Sequence, residues 1–117
     1  FGYGDVKLDV EAFDIENPAI KLGQQLTFDL TLKSTSNEPQ PLMIDYIVHH
    51  RKANGTTSPK VFKWKTLTLK PGEEMVARKK HAIKPITTRV YYSGEHFLEI
   101  QVNGQSMGTK PFMLDVS

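Results

Sequence analysis

The chain has 117 residues and a net charge of +2, with 38% apolar and 24% charged residues, and this length fits one domain with a single core rather than two. It contains no cysteine, which excludes disulfide bonds, thiolate metal sites and thiol catalysis. No segment approaches the roughly 20 consecutive apolar residues that a transmembrane helix needs, so we expect no membrane partner.

Apolar and polar residues alternate with a period of two in the first half of the chain. Residues 6–10 follow this pattern, and residues 25–33 follow it most regularly. Such alternation predicts β-strands with one buried face, whereas a helix would spread the same residues around its axis. Residues 42–50 are apolar on both faces, which predicts a central strand.

The strand predicted at residues 61–69 changes its phase midway. Its two aromatic residues, Phe62 and Trp64, share one face, whereas two later leucines share the other. One extra residue in a strand produces such a change, so we expect a β-bulge near Lys65. Residues 75–83 form a weaker predicted strand that carries much of the charge.

The last two strands are predicted at residues 97–102 and 112–116, on either side of Asn103-Gly104. This dipeptide predicts a hairpin, because both central residues of a type I′ turn need positive φ. Other turn signals separate the earlier strands. The pattern predicts an all-β fold, an immunoglobulin-like or fibronectin III-like two-sheet antiparallel sandwich of about seven strands. We expect residues 1–117 to form this single domain.

Four histidines raise the question of a metal site. His49 and His50 are adjacent, and neighbouring side chains on a strand point to opposite faces, so this pair is not expected to bind one ion together. His81 and His96 would have to be brought together by the fold. We expect surface or hydrogen-bonded histidines, with no metal and no cofactor.

The sequence contains no pattern that is typical of an active site. It has neither a strand-turn-helix nucleophile motif nor a glycine-rich turn that opens a helix. Function has to be inferred from a site rather than from a fold. We therefore predict that the domain is not an enzyme, has no catalytic residue and takes no small-molecule substrate.

Lysine and arginine are concentrated in the middle of the chain. Residues 49–89 hold eleven of the fifteen basic residues and only two acidic ones. Such a segment favours a polyanionic partner, because phosphate backbones release counterions when they bind a positive surface. The candidate nucleic-acid-binding residues are Arg51, Lys52, Lys60, Lys63, Lys65, Arg78, Lys79, Lys80 and Arg89.

Strand geometry makes a further prediction about these basic residues. With a period of two, Lys63 and Lys65 are expected on one face. Arg78 and Lys80 are likewise expected to share a face. A continuous positive area requires the folded sheets to bring these strands to the same surface.

Other interpretations of the same residues stay open. Lysines near a sheet edge prevent edge-to-edge pairing and are commonly just solvated, and a basic surface also fits an acidic protein. Trp64 and Tyr92 are candidates for stacking on bases, although Trp64 also fits the core. Tyr91 or Tyr92 fits a structural role in which its hydroxyl ties a strand corner.

Several segments resemble a known family. They are residues 44–50 (IDYIVHH), 52–63 (KANGTTSPKVFK), 69–73 (LKPGE), 79–81 (KKH), 85–89 (PITTR), 91–96 (YYSGEH) and 101–104 (QVNG). They resemble the C-terminal β-sandwich extension of bacterial DNA alkylation repair proteins, whose main body is a HEAT-repeat solenoid. The opening residues 1–4 (FGYG) are similar to the junction at which that solenoid ends.

The resemblance implies an accessory role and carries over no catalytic residue. It implies that the chain, which begins at Phe1, is the C-terminal domain of a longer cytoplasmic protein. The implied partners are an N-terminal HEAT-repeat domain of the same chain and DNA. Our leading hypothesis is a non-catalytic domain that helps to bind or orient DNA through its basic surface.

Two alternatives belong to other classes. The domain would be a structural cap or protein-interaction module that packs on the HEAT-repeat domain, since terminal repeats of a solenoid need a covered outer face. Alternatively it would be a secreted adhesin-like or carbohydrate-binding sandwich, with a sugar cleft rich in acidic and aromatic residues.

Overall fold

A computed structural model of the chain describes residues 6–85 and 90–117. These residues are all-β, and no helix among them is long and apolar enough to cross a bilayer. The described strands are β1 (Leu8–Ile15), β2 (Ala19–Lys21), β3 (Gln25–Ser34), β4 (Gln40–Arg51), β5 (Thr57–Leu69), β6 (Glu74–Ala82), β7 (Gly94–Val102) and β8 (Gln105–Asp115).

The strands form two sheets. The three-stranded sheet has the order β1-β3-β6, and the five-stranded sheet has the order β2-β8-β7-β4-β5. All pairs are antiparallel except β2 with β8. This confirms the predicted all-β sandwich and places β4 inside its sheet, between β7 and β5. The short strand β2 was not predicted, because three residues are too few to show a period.

The core lies between the inner faces of the two sheets. Four alternate residues of β3 and four of β4 are buried there, as the period of two predicts. Each buried aliphatic or aromatic side chain contributes about 1.5–3 kcal/mol relative to an exposed one. The buried residues of these two strands are Leu26, Phe28, Leu30, Leu32, Leu42, Ile44, Tyr46 and Val48.

A bulge in β5 confirms the predicted change of phase. Ile44 pairs with Lys65 and Asp45 with Lys63, so Trp64 is the extra residue. Residues opposite each other in an antiparallel pair share a face. Ile44 faces the core and Asp45 faces away, so the bulge turns the two lysines to opposite sides of the sheet. The expectation that Lys63 and Lys65 share a face is therefore wrong.

Two local predictions are confirmed at the chain turns. Asn103 and Gly104 have φ of 51° and 82°, as the hairpin between β7 and β8 requires. The Asn103 side chain also accepts a hydrogen bond from the amide of Met43 at 2.7 Å, which ties the hairpin to β4. The second prediction concerned a tyrosine that ties a strand corner. The hydroxyl of Tyr91 has this role, since it donates a hydrogen bond to the carbonyl oxygen of Lys84 at 3.0 Å.

Candidate nucleic-acid interface

The edges of the two sheets meet along one side of the sandwich. β5 is the last strand of the five-stranded sheet and β6 the last strand of the three-stranded sheet. Residues 70–73 join the two strands, and across the gap the ring centroids of Phe62 and His81 lie 4.5 Å apart. Basic residues on the inner sides of β5 and β6 therefore border one open flank.

Three lysines lie along this flank. Lys60 pairs with Val48, and Lys65 pairs with Ile44. Lys79 pairs with Phe28. Each of their partners faces the core, so all three lysines lie on the inner sides of the edge strands, where their long side chains extend past the core to solvent. We call Lys60, Lys65 and Lys79 the positive flank.

Aromatic rings fill the space beneath these lysines. Trp64 packs edge-on against Phe28, with 5.3 Å between ring centroids, and against Tyr46 at 6.1 Å. Phe62 stacks on Tyr46 at 5.2 Å. The indole of Trp64 is thus engaged inside the domain, which favours the core interpretation of this residue over the stacking one.

The polar groups within this aromatic cluster carry no charge at neutral pH. The hydroxyl of Tyr46 lies 2.9 Å from Nδ1 of His81. Burial, together with nearby Lys79, lowers the pKa of His81, and burial raises the pKa of Tyr46. Both side chains are neutral at pH 7, so the charge of the flank comes from its lysines.

Arg78 and Lys80 share the outer face of the three-stranded sheet, as predicted, because they pair with Asp29 and Thr27. Arg78 donates to both carboxylate oxygens of Asp29, at 2.8 and 3.0 Å, and lies 3.4 Å from Glu16. The hydrogen bond and charge of Asp29, with a contribution from Glu16, raise the pKa of Arg78. Its charge is balanced within the domain and does not add to the flank.

The lysines of the flank have no such counterions. Among residues 6–85 and 90–117, the ion pairs within 4.0 Å are Arg78 with Asp29 and Glu16, Lys110 with Asp14, and His49 with Glu99. None of these pairs involves the positive flank. Its charge is therefore open to an external anion.

Arg51, the last residue of β4, and Lys52, which follows it, lie at one end of the sandwich. A Cβ atom on Gly94 would lie 2.7 Å from Cδ of Arg51, and one on Gly55 would lie 3.7 Å from its Nη2. Arg51 thus connects the β4–β5 hairpin with the start of β7 and has a structural role. Lys52 is exposed in the hairpin and Tyr92 is exposed before β7. The candidate Arg89 lies outside the described residues.

His49 and His50 occupy separate environments, as predicted, whereas His50 and His96 lie close together. Nε2 of His49 lies 2.8 Å from Glu99 on the outer face, whereas the ring of His50 lies 5.8 Å from that of His96 inside. Burial, with a smaller contribution from Arg51, lowers the pKa of His96. Across the described part of the chain, no three His, Asp or Glu side chains are grouped as a metal site requires.

A cavity of about 500 Å³ lies beside β2 and β8, away from the flank. Ala19, Ile20, Met113 and Leu114 line it together with Asp115 and the residues around Gly94. No aromatic residue contributes to this lining. The cavity therefore lacks the aromatic platform that the carbohydrate-binding alternative requires.

The two stacked sheets and the tyrosine-tied corner define an immunoglobulin-like β-sandwich domain. The chain belongs to the family described as "Uncharacterised protein YhaZ, C-terminal Ig-like domain", whose model matches residues 9–116. A relative in Bacillus subtilis (strain 168), the uncharacterized protein YhaZ, is 26% identical over 115 residues, covering 97% of this chain and 32% of YhaZ.

Solved structures extend this relationship. The Pseudomonas fluorescens alkylpurine DNA glycosylase AlkC, bound to DNA containing an abasic site analog, matches with a TM-score of 0.93 and 31% identity, over 97% of this chain and 32% of that chain. The chain thus spans about a third of the length of YhaZ and of AlkC. A β-glucosidase from Listeria innocua matches at a TM-score of 0.72 and 15% identity, over 98% of this chain and 17% of that chain, and shares the fold alone.

Proposed function

We propose that this chain is a non-catalytic accessory domain of a DNA alkylation repair protein, which contributes to DNA binding through the positive flank. The observation that carries this proposal is the set Lys60, Lys65 and Lys79, which lie on two adjoining edge strands and have no acidic partner within 4.0 Å in the described part of the chain. The similarity to AlkC supports the choice of DNA as the polyanion. The proposed setting is the C-terminus of a longer cytoplasmic protein with an N-terminal HEAT-repeat domain.

The composition of the flank favours contact with the phosphate backbone rather than with bases. Lysines act as point charges, and backbone contacts carry no sequence information. The neighbouring rings of Phe62 and Trp64 are packed against the core. Of the two stacking candidates, exposed Tyr92 is the one that stays available. The proposed binding is therefore salt-sensitive and independent of sequence.

Charge reversal on the flank tests the proposal. Replacing Lys60, Lys65 and Lys79 by Glu in the 117-residue chain is expected to weaken binding to a short duplex by at least tenfold at low salt. Fluorescence anisotropy of a labelled duplex measures the affinity. The matched control compares Lys65→Glu alone with Lys21→Glu on β2, at the opposite edge of the five-stranded sheet, because each changes the net charge by −2. Equal losses in both variants, or no binding by the parent chain, would refute the DNA role.

A second function, packing on the HEAT-repeat domain, is favoured by a different surface. The outer face of the five-stranded sheet carries exposed apolar side chains, among them Val61 and Met113, beside the His49–Glu99 pair. The two roles use separate surfaces and are compatible with each other.

A further inference from the structure

The outer face of the five-stranded sheet carries a diagonal line of apolar side chains, and the His49–Glu99 pair lies beside it. On β4 and β5, Ile47 pairs with Val61; on β7 and β8, Phe97 pairs with Pro111 and Met113 follows two residues later. Val61 and Met113 are 54% and 49% exposed, whereas Ile47 is buried beneath its neighbours. We call these five residues the apolar band. No described residue forms a layer over this face.

The opposite side of the molecule has a different chemistry. On the outer face of the three-stranded sheet, Arg78 pairs with Asp29 and Glu16, and Lys80 is exposed beside them. An antiparallel sheet that faces water has polar residues on its outer side. Strand β4 has buried residues on both faces, with Asp45 and Ile47 buried on the outer one, and such a strand is typical of a sheet that is covered on both sides.

Two carboxylates, Asp45 and Glu99, lie beside the apolar band and indicate what kind of surface would cover it. Glu99 contacts His49 at 2.8 Å, and hydrogen bonds from Ser106 and His49 lower its pKa, so Glu99 is ionised. Asp45 is only 8% exposed, and its Oδ1 is buried without a hydrogen-bond partner. A partner surface therefore needs apolar side chains together with a hydrogen-bond donor, which reaches Asp45 when the side chain of Lys63 opposite it moves aside.

We propose that the apolar band docks on the remaining two-thirds of the longer protein, an inference that rests on the accessory role proposed above. YhaZ and AlkC each extend well beyond the 32% of their length that matches this chain. The five-stranded face measures roughly 20 Å across its strands and roughly 30 Å along them, so a partner that covers about two-thirds of it would bury about 800 Å² in total, which is within the range of interdomain contacts.

The two competing occupants fit less well. A second copy would bring the same face, with its own Asp45 and Glu99, against these carboxylates across a two-fold axis. DNA would bring phosphates against the same two acids. The band also points away from the positive flank, because Val61 and Lys60 are neighbours on β5 whose partners Ile47 and Val48 lie on opposite faces of the sheet. Docking thus leaves the flank exposed.

Two substitutions within the band test this inference in the longer protein. Val61→Asp with Met113→Asp is expected to weaken binding of the 117-residue chain, added in trans, to the remainder of the protein by at least tenfold. The matched control is Val76→Asp, because Val76 is 71% exposed on the outer face of the other sheet. Isothermal calorimetry measures the affinity. Both sets of side chains are exposed, so circular dichroism of the isolated variants should show unchanged folding.

Hydrogen exchange supplies a second readout without mutation. The amides of β4 and β7 are expected to exchange at least tenfold more slowly in the longer protein than in the isolated chain, while those of β3 change little. Equal exchange in both proteins, or equal weakening by Val76→Asp, would overturn the inference. If the isolated chain formed a dimer and Val61→Asp dissociated it, the band would be a self-association surface and the docking inference would be wrong. DNA affinity is measured separately on the lysine variants, so failure of one proposal is distinguishable from failure of the other.

Discussion

Gly94 lies where the side chain of Arg51 crosses the start of β7. Its φ of 132° belongs to the region that favours glycine, and a Cβ atom would come within 2.7 Å of Cδ and 2.9 Å of Nε of Arg51. Gly23 also has positive φ, at 96°, but a Cβ atom there would meet nothing within 4 Å. A comparison of substitutions at the two glycines therefore separates the cost of backbone strain from the cost of steric contact.

Alanine substitutions at these glycines should differ in cost. Gly23→Ala is expected to lower the free energy of unfolding by about 1 kcal/mol, from backbone strain alone. Gly94→Ala is expected to cost about 2–3 kcal/mol, because Arg51 must also move. Urea denaturation of the two variants measures the difference. Equal losses would show that Arg51 adapts freely.

The buried histidines should make stability depend on pH. Burial lowers the pKa of His81 and His96 below the usual value of 6.5. Below about pH 6.5 the unfolded chain therefore binds protons that the folded chain does not, and stability falls as the pH decreases toward the folded pKa values. The slope is at most about 1.4 kcal/mol per pH unit for each histidine.

Thermal unfolding between pH 7.5 and 5.5 measures this effect. The melting temperature is expected to decrease across that range, and His96→Gln should reduce the decrease. His81→Gln, whose ring belongs to the separate Tyr46 cluster, should act independently. A pH profile that is flat, or identical in all three proteins, would contradict the assignment.

Residue-scale features were predictable where their signals are local in sequence. Asn103-Gly104 forms the predicted turn because two neighbouring residues decide its backbone conformation. Tyr91 reaches Lys84, only seven residues away. Arg51 and Gly94 are far apart in the sequence, and no sequence pattern around either residue predicts their contact.

At the scale of elements, the bulge in β5 determines which lysines of this strand belong to the flank. The change of phase after Trp64 predicted a bulge near Lys65 but could not show which residue is extra. Because Trp64 occupies that position, it and the later leucines all pack against the core. The same bulge separates Lys63 from Lys65, which reasoning from a strict period of two could not anticipate.

Truncating Trp64 should destabilise the domain more than its partial exposure suggests. Trp64→Ala is expected to cost about 2–3 kcal/mol, since the indole contacts both Phe28 and Tyr46. The control on the same strand is Val61→Ala, whose exposed side chain should change the free energy of unfolding by at most about 0.5 kcal/mol. Equal values from urea denaturation would indicate that the indole is not part of the core.

For the whole molecule, only part of the basic segment of the sequence forms a free positive surface in the fold. The basic middle of the chain does supply the flank, but acids from earlier in the chain, one in β3 and one just after β1, neutralise Arg78. Asp29 lies 49 positions before Arg78 and Glu16 lies 62 positions before it. Neither pair is visible without knowing which strands are neighbours. The sandwich was predictable from periodicity, whereas the distribution of free charge was not.

The salt dependence of DNA binding shows whether the three lysines of the flank or all nine candidate residues contact phosphates. For three phosphate contacts, the logarithm of the duplex-binding constant should fall against the logarithm of salt concentration with a slope of about −3. Nine contacts would give about −8. Titrations of a short duplex at several salt concentrations measure the slope. A value near the larger figure would show that residues outside the flank bind phosphate as well.

The position of the single tryptophan gives the molecule its own optical reporter. Trp64 lies against Phe28 and Tyr46, directly beneath the lysines of the flank, while the apolar band lies on a different surface. Its emission is therefore sensitive to what approaches the edge strands and much less to what covers the outer face. In the unlabelled protein, a ligand that binds the flank should therefore quench the emission of Trp64. A partner that covers the apolar band should leave this emission unchanged.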